Sequence, residues 1–463
     1  MKDLDNIKSL YFLGIGGIGM SALARYFNAA GKRVWGYDKT QTRLTDELSA
    51  ERIDVHYEEN MDLVLKEMNA HGLNKDNMLV IYTPAVPQEH TELEYFRNNG
   101  FVMKKRAELL GNITERSYTV AVAGTHGKTT TSSLIAHILR TANIDCTAFL
   151  GGITQNYNTN LLLGKSNTTV VEADEYDRSF LTLHPDIAVI TSVDADHLDI
   201  YGDKKFMQES YDLFAQQVKQ GGTLIAKKGV EEGVDLSSKK STVVTYSLDA
   251  DTDYKASNIT VTDGQFNYSV LKRHSAILDL TLGIPGRHNI ENSVAAIAVA
   301  QAMNISESDI RRALMTFKGV KRRFEYHIKT RDLVYIDDYA HHPAELKAVI
   351  SAIRDVYPRK KITGIFQPHL YTRTRDFADE FARSLELLDE LMLMEIYPAR
   401  EKPIPGITSA MLLDKVKLQN KKLCSKEELV KEVAGRKLEV LLTAGAGDID
   451  LFIEPITKAL TKK

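Results

Sequence analysis

Gly124-Thr-His-Gly-Lys-Thr-Thr130 carries the densest chemistry in the chain. Four apolar residues, Val120 to Ala123, run into it, and Leu134, Ile135, Ile138 and Leu139 follow at helical spacing. Strand, glycine turn and helix in that order can hold a polyphosphate on backbone N–H groups at a helix N-terminus. Lys128 then places a point charge on the β- and γ-phosphates, and Thr129 offers its hydroxyl to Mg²⁺. The general phosphate-loop spacing wants a further glycine at position 122, where this chain has Val122. The loop is therefore a compact Gly-x-x-Gly-Lys-Thr form. The plain alternative is a glycine-rich βα turn carrying a surface lysine.

Acids stand where such a loop would need them. The strand-like Thr168-Thr-Val-Val ends in Glu172 and Asp174, and Ile187 to Val193 ends in Asp194-Ala-Asp-His-Leu-Asp199. Carboxylates and the imidazole of His197 at neighbouring strand ends suit a Mg²⁺ bound to ATP. Solvated helix caps are the other reading. Asn289 and Asn292 stand three apart ahead of an Ala-rich helix over 293–303, and could read an adenine edge or cap that helix. Nearer the N-terminus, Gly14, Gly16 and Gly19 satisfy G-x-G-x-x-G with Asp38 beyond, a dinucleotide fingerprint. Any diphosphate on a helix N-terminus satisfies that pattern, a UDP-sugar as well as NAD. In the last third, Asp337-Asp-Tyr-Ala-His-His342 and Gln367-Pro-His-Leu-Tyr-Thr-Arg373 follow short apolar strands, and Pro343 sits where a helix opens. Adjacent histidines in one loop rarely share a metal; Arg373 and Arg375 suit phosphate or carboxylate, and a solvated surface explains Arg375 equally well.

The elements that position these residues repeat as strand, polar loop and helix. They predict an α/β protein of three domains: residues 1–105 Rossmann-like, 106–321 a central P-loop ATPase-like unit with a mostly parallel sheet, and 322–463 Rossmann-like again. A β-rich stretch over 219–284 belongs to the middle unit. A net charge of −3 argues against broad nucleic-acid or membrane-surface binding, so anionic ligands must meet local basic groups. Two distant cysteines, Cys146 and Cys424, give no disulfide framework and fit a reducing cytosol. Neither a signal peptide nor an apolar run long enough for a membrane span is legible, so a cytoplasmic protein is expected.

Jointly, Gly14-Ile-Gly-Gly-Ile-Gly-Met-Ser21, Gly124 to Thr130, Glu172-Ala-Asp-Glu175, Asp194-Ala-Asp-His197, Gly286-Arg-His-Asn-Ile-Glu-Asn292, Arg322-Arg-Phe324, Asp337 to Pro343 and Phe366-Gln-Pro-His369 resemble the Mur ligases of peptidoglycan synthesis over nearly the whole chain. Val122 is ordinary for that family's compact loop. The resemblance implies an ATP- and Mg²⁺-dependent amide-forming ligase. Its substrates are UDP-N-acetylmuramate, activated as an acyl phosphate on its lactyl carboxylate, and L-alanine, whose amine attacks that carbon. It implies ATP contacts at Gly124, Thr125, His126, Gly127, Lys128, Thr129, Thr130, Asn289, Asn292, Arg323 and Asp338. Lys128, Glu172 and His197 would be catalytic, with Thr129, Glu172 and His197 as metal ligands. Gly14, Gly16, Gly17, Gly19 and Arg373 would hold the UDP-sugar, with His342 on the amino-acid side. Position 370 is Leu where many members carry Arg. Lys204 and Lys205 lie too close to His197 to be assigned as a carboxylated lysine. A recycling ligase that joins a whole tripeptide to the same sugar nucleotide is the near rival. A nicotinamide oxidoreductase, motivated by Gly14 to Asp38, and a nucleotide-gated binding protein are the distant ones. No nucleic-acid partner or membrane insertion is expected, and monomer and homodimer stay open.

Overall fold

A computed structural model of the chain describes residues 6–194, 204–237, 240–399 and 401–461. They form two compact units, one of residues up to 255 together with 294–313, the other of 256–293 together with 314–463.

The first unit opens with five parallel strands: β1 (Ser9–Leu13), β2 (Arg33–Tyr37), β3 (Asp54–His56), β4 (Met78–Tyr82) and β5 (Val102–Lys105), in the order β3-β2-β1-β4-β5. That is the strand order of a Rossmann sheet without its sixth strand. β1 is buried throughout, and its alternation splits two cores. Leu10 and Phe12 face α1 (Ile18–Ala29), α2 (Arg43–Ala50) and α5 (Arg106–Glu115). Tyr11 and Leu13 face α3 (Met61–Ala70) and α4 (Thr91–Asn98).

A second sheet in this unit has β6 (Tyr118–Ala123) near its centre. Its neighbours are β7 (Thr147–Thr154), β8 (Thr159–Leu162), β9 (Thr168–Glu172), β10 (Ile187–Ile190), β11 (Thr223–Lys227) and β12 (Thr242–Ser247), in the order β12-β11-β10-β6-β9-β7-β8. Only β8 runs antiparallel among these. The four apolar residues of β6 are completely buried, as a central parallel strand requires. β10 stops three residues short of the expected Val193, because the Thr191 hydroxyl and Ser192 backbone turn to bond the loop after β6.

The second unit contains an antiparallel hairpin, β14 (Gln265–Lys272) with β15 (Ser275–Leu282), preceded by the end of β13 (Tyr254–Thr262). Its main sheet is β16 (Glu325–Lys329), β17 (Val334–Asp338), β18 (Ile362–Phe366), β19 (Glu390–Leu393), β20 (Lys421–Leu423) and β21 (Val440–Ala444), ordered β16-β17-β21-β18-β19-β20 with only β16 antiparallel. The Ala-rich helix runs Arg287–Ala302, opening six residues before the expected Ser293. Gly286, at φ +110°, makes the break that the asparagines suggested, so Asn289 and Asn292 lie inside the first turns rather than at a cap. The segment after β18 also folds into a helix, Tyr371–Asp376, where a loop was expected. No helix among the described residues is long and apolar enough to cross a membrane.

Candidate active site

The loop after β6 is built around two residues with positive φ, Gly124 at +131° and Gly127 at +83°, and α6 (Lys128–Thr141) starts immediately after it. Position 122 lies inside β6, which explains the missing glycine: the strand runs straight to Ala123 and the turn is made by the next four residues. The loop is braced from β10's end. Thr125 N–H donates to the Ser192 carbonyl at 3.1 Å, His126 N–H to the Ser192 hydroxyl at 3.0 Å, and the Thr191 hydroxyl to the His126 carbonyl at 2.5 Å. Asp194 N–H donates to the Thr125 hydroxyl at 3.0 Å, and the His126 ring stands 3.7 Å from the Asp194 carboxylate. The loop's own carbonyls are thus turned away toward β10 and toward Lys128. α6 begins where the loop ends, and a glycine turn leading into a helix N-terminus is the arrangement a nucleotide polyphosphate fits.

Lys128 Nζ donates to the Gly124 carbonyl at 2.6 Å and to Glu175 at 2.7 Å. Burial pushes its pKa down. The coulombic pull of Glu175, Glu172 and Asp174 outweighs that and holds it above the ordinary lysine value, so the cation persists at neutral pH. Glu175 belongs to the acidic motif but carries no assigned role there; its position directly after Asp174, outside any regular element, hid the pairing. Glu172 closes β9, one strand over from the loop, and its carboxylate packs on the backbone of Gly151 in β7, where a Cβ would fall 2.3 Å from it. Asp174 instead pairs with Arg106 at 3.1 Å. His197 lies outside the described residues. Among the described residues no cluster of three His, Cys, Asp or Glu side chains with metal-site geometry occurs.

The N-terminal glycine loop joins β1 to α1. Asp38, the acid that a nicotinamide site would set on a ribose, turns inward: its Oδ2 accepts the Gly16 N–H at 2.7 Å and its Oδ1 the Thr40 N–H at 3.1 Å. α1 is clamped to the β7–β8 hairpin by the fully buried Asn160. Asn160 donates to the Ile18 carbonyl at 2.6 Å and the Ser21 hydroxyl at 3.0 Å, and accepts from Arg25 at 2.7 Å. No sequence motif announced this residue.

In the second unit, Asn289 donates to the Pro285 carbonyl at 2.6 Å and accepts from Asn292 at 3.4 Å, both buried. Asp338 is buried at the end of β17, and its two oxygens accept the N–H groups of Phe324 at 2.7 Å and Ala340 at 2.8 Å. Burial pushes it up to about 6 despite Arg323 and those two donors. Glu345 gathers its neighbours: His341 N–H at 3.0 Å, His342 N–H at 3.3 Å and the Arg323 guanidinium at 3.7 Å. Arg323 also lies 5.3 Å over the Tyr339 ring. His342 Nδ1 caps the helix that opens at Pro343. Arg373 is buried, 3.2 Å from His369 Nδ1, and His369 stacks on Tyr397. Leu370 is buried at φ +70°, an unusual conformation for a bulky residue, so this position presents an apolar core contact. Of these, Glu345 and Tyr397 had no sequence signal.

His288 and His137 are each held to about 4: His288 by burial and then by Arg323 against Glu345, His137 by burial. The unfolded chain takes up these protons near 6.5, so it binds more protons than the folded chain between those values. Stability is therefore complete above about pH 6.5 and falls as the pH drops toward 4. Thermal melting against pH should show this slope, reduced in a His288→Gln variant; an unchanged slope would remove His288 from the account.

Models of three Mur ligase domains match the chain end to end: the catalytic domain at residues 9–118, the middle domain at 122–300 and the glutamate ligase domain at 322–449. The chain belongs to the Mur ligase family. Among curated Mur ligases it is 51% identical to the UDP-N-acetylmuramate–L-alanine ligase of Parabacteroides distasonis, covering 100% of this chain and 99% of that one. It is 50% identical to the ligase of the same name from Cytophaga hutchinsonii, covering 98% and 97%. Among solved Mur ligase structures, the UDP-N-acetylmuramate–alanine ligase of Thermotoga maritima superposes with a TM-score of 0.83 at 27% identity, over 98% of this chain and 99% of that one. The murein peptide ligase of Psychrobacter arcticus shares the fold, with a TM-score of 0.70 at 21% identity.

Proposed function

We propose that this Mur ligase joins L-alanine to the lactyl carboxylate of UDP-N-acetylmuramate, using ATP, in the synthesis of peptidoglycan precursors in the cytoplasm. The observation that carries this reading is identity of about half the residues over the full chain with ligases of that name. A carboxylate does not accept an amine until one oxygen becomes a good leaving group. Phosphorylation by ATP makes the acyl phosphate; the amine then adds to the carbonyl carbon and phosphate departs with its bonding electrons. Two anions, carboxylate and triphosphate, must approach each other, so cations decide the rate.

In this reading the Gly124–Thr130 loop and the start of α6 bind the phosphates, and Lys128 stabilises the transferring group. Thr129 and Glu172, with His197, would hold Mg²⁺, which would supply neutralisation of phosphate charge. Asn289, Asn292, Arg323 and Asp338 complete the nucleotide side. Gly14, Gly16, Gly17 and Gly19, with Arg373, bind the UDP-sugar, and His342 lies on the amino-acid side. Residues 1–105, 106–321 and 322–463 act as sugar-nucleotide, ATP and amino-acid domains; the break between the second and third family matches falls at the second of these boundaries, whereas the first match runs past residue 105 to 118. The test is ADP release with UDP-N-acetylmuramate against single amino acids and against the tripeptide. L-alanine is expected to give the highest kcat/KM; turnover with tripeptide alone would transfer the protein to the recycling reaction.

A further inference from the structure

The face of the first sheet under α3 and α4 hides a chain of hydrogen-bonding groups. Glu92, in the first turn of α4, is completely buried. Its Oε1 accepts the Asn60 N–H at 3.1 Å, and its Oε2 lies 2.5 Å from the Tyr11 hydroxyl in mid-β1. That hydroxyl is also 2.8 Å from Nε2 of His56, the last residue of β3, whose Nδ1 lies 2.9 Å from the Glu58 carbonyl. Alongside, Glu59 accepts both the N–H and the hydroxyl of Thr91, at 3.0 and 2.9 Å. The loop over 57–60 and the start of α4 are therefore fastened to each other twice. They follow β3 and β4 at the C-terminal edge of the sheet, where open parallel sheets bind ligands and where the glycine loop also sits.

Proton counting restricts how this chain can be satisfied. A carbonyl only accepts, so His56 Nδ1 carries a hydrogen. The phenol has one hydrogen to give. If it goes to an ionised Glu92, Nε2 must donate to the phenol oxygen, and His56 is an imidazolium 3.8 Å from Glu92. If it goes to a neutral His56, Glu92 must be the carboxylic acid and donate to the phenol oxygen. Both arrangements complete every link, and both hold the same number of protons. A neutral His56 beside an ionised Glu92 is one proton short: two acceptors compete for one hydrogen, and a buried contact is lost. Tyr37 from β2 packs on His56 and on His90, and His90 stands 3.9 Å from Glu59. Among the described residues no lysine or arginine bonds to His56 or Glu92 to take the proton's place.

We propose that one proton, shared by His56 and Glu92 through Tyr11, fastens the 57–60 loop to α4 and thereby positions the crevice that binds the sugar nucleotide. The ligand identity rests on the function proposed above. Glu92→Gln supplies a permanent version of the protonated state, because the carboxamide accepts from Asn60 and donates to the phenol. Tyr11→Phe cuts the chain.

Calorimetric titration of the full-length protein with UDP-N-acetylmuramate tests this. Wild type and Glu92→Gln should bind alike, and Tyr11→Phe about tenfold more weakly, the worth of one lost buried hydrogen bond. Weak binding by Glu92→Gln, or tight binding by Tyr11→Phe, would overturn the proposal. ¹⁵N shifts of His56 in the wild type judge it without any variant: Nδ1 should be protonated, and a neutral ring protonated only at Nε2 would sink it. If wild type binds no UDP-N-acetylmuramate at any pH, the ligase reading fails while the His56 signals still decide the proton.

Discussion

Lys128→Ala should lower kcat by at least about a hundredfold, the loss of roughly 3 kcal/mol of transition-state charge stabilisation. The variant should also be less stable. Glu175 is almost completely buried and loses the ammonium group that bonds it at 2.7 Å, which for a buried ion pair costs about 3 kcal/mol. The two losses can be separated. In a Lys128→Ala/Glu175→Gln double variant the carboxylate no longer needs a cation, so stability should return while turnover stays low. Denaturant unfolding and ADP release, measured on the same three proteins, check both halves. A double variant that regains turnover would show that Lys128 acts only as a strut for Glu175.

Gly124→Ala should disable the phosphate loop as completely without touching a charge. A Cβ built there falls 2.1 Å from the Thr191 hydroxyl and 2.8 Å from the Ser192 nitrogen, on a backbone at φ +131°. Either the loop or the end of β10 must move, and those residues brace Thr125 and His126. The strain and displacement together should cost about 3 kcal/mol and abolish ATP-dependent turnover. Gly31→Ala is the control. It also sits at positive φ, +78°, but its Cβ would meet nothing within 4 Å, so it should cost only about 1 kcal/mol and keep activity. ATP affinity by calorimetry, beside thermal unfolding of each variant, distinguishes them; equal behaviour of the two would mean that φ strain, and not the contact with Thr191, governs position 124.

Much of the scaffold was legible because local signals are strong where the chain is central. β6 reads as a strand from four consecutive apolar residues, since a central parallel strand is buried on both faces. The helix at Pro343 reads from the restricted φ of proline at a first turn. The edge strands β16 and β20 went unread, because half-exposed sequences such as Glu325-Tyr-His-Ile-Lys329 mix polar and apolar residues as loops do. Arg287 as a helix start was hidden for a similar reason. The asparagines favour caps in general, but Gly286 had already made the turn.

The candidate residues for local chemistry were legible in the sequence alone. A glycine turn before a helix is a local pattern that can bind phosphate, and the roles proposed for Lys128, Thr129 and Glu172 follow from hydrogen-bonding and charge rules that act over a few positions. Tertiary structure decided which groups partner them. Glu175 reaches Lys128 across 47 positions, Asn160 reaches Ser21 across 139, and Glu92 meets Tyr11 across 81. These pairings depend on strand order, which brings β6 beside β9 and β10 and lays the start of α1 on the β7–β8 hairpin. No local pattern encodes a contact between segments that far apart, because the free energy fixing it belongs to the buried sheets and not to the residues that touch.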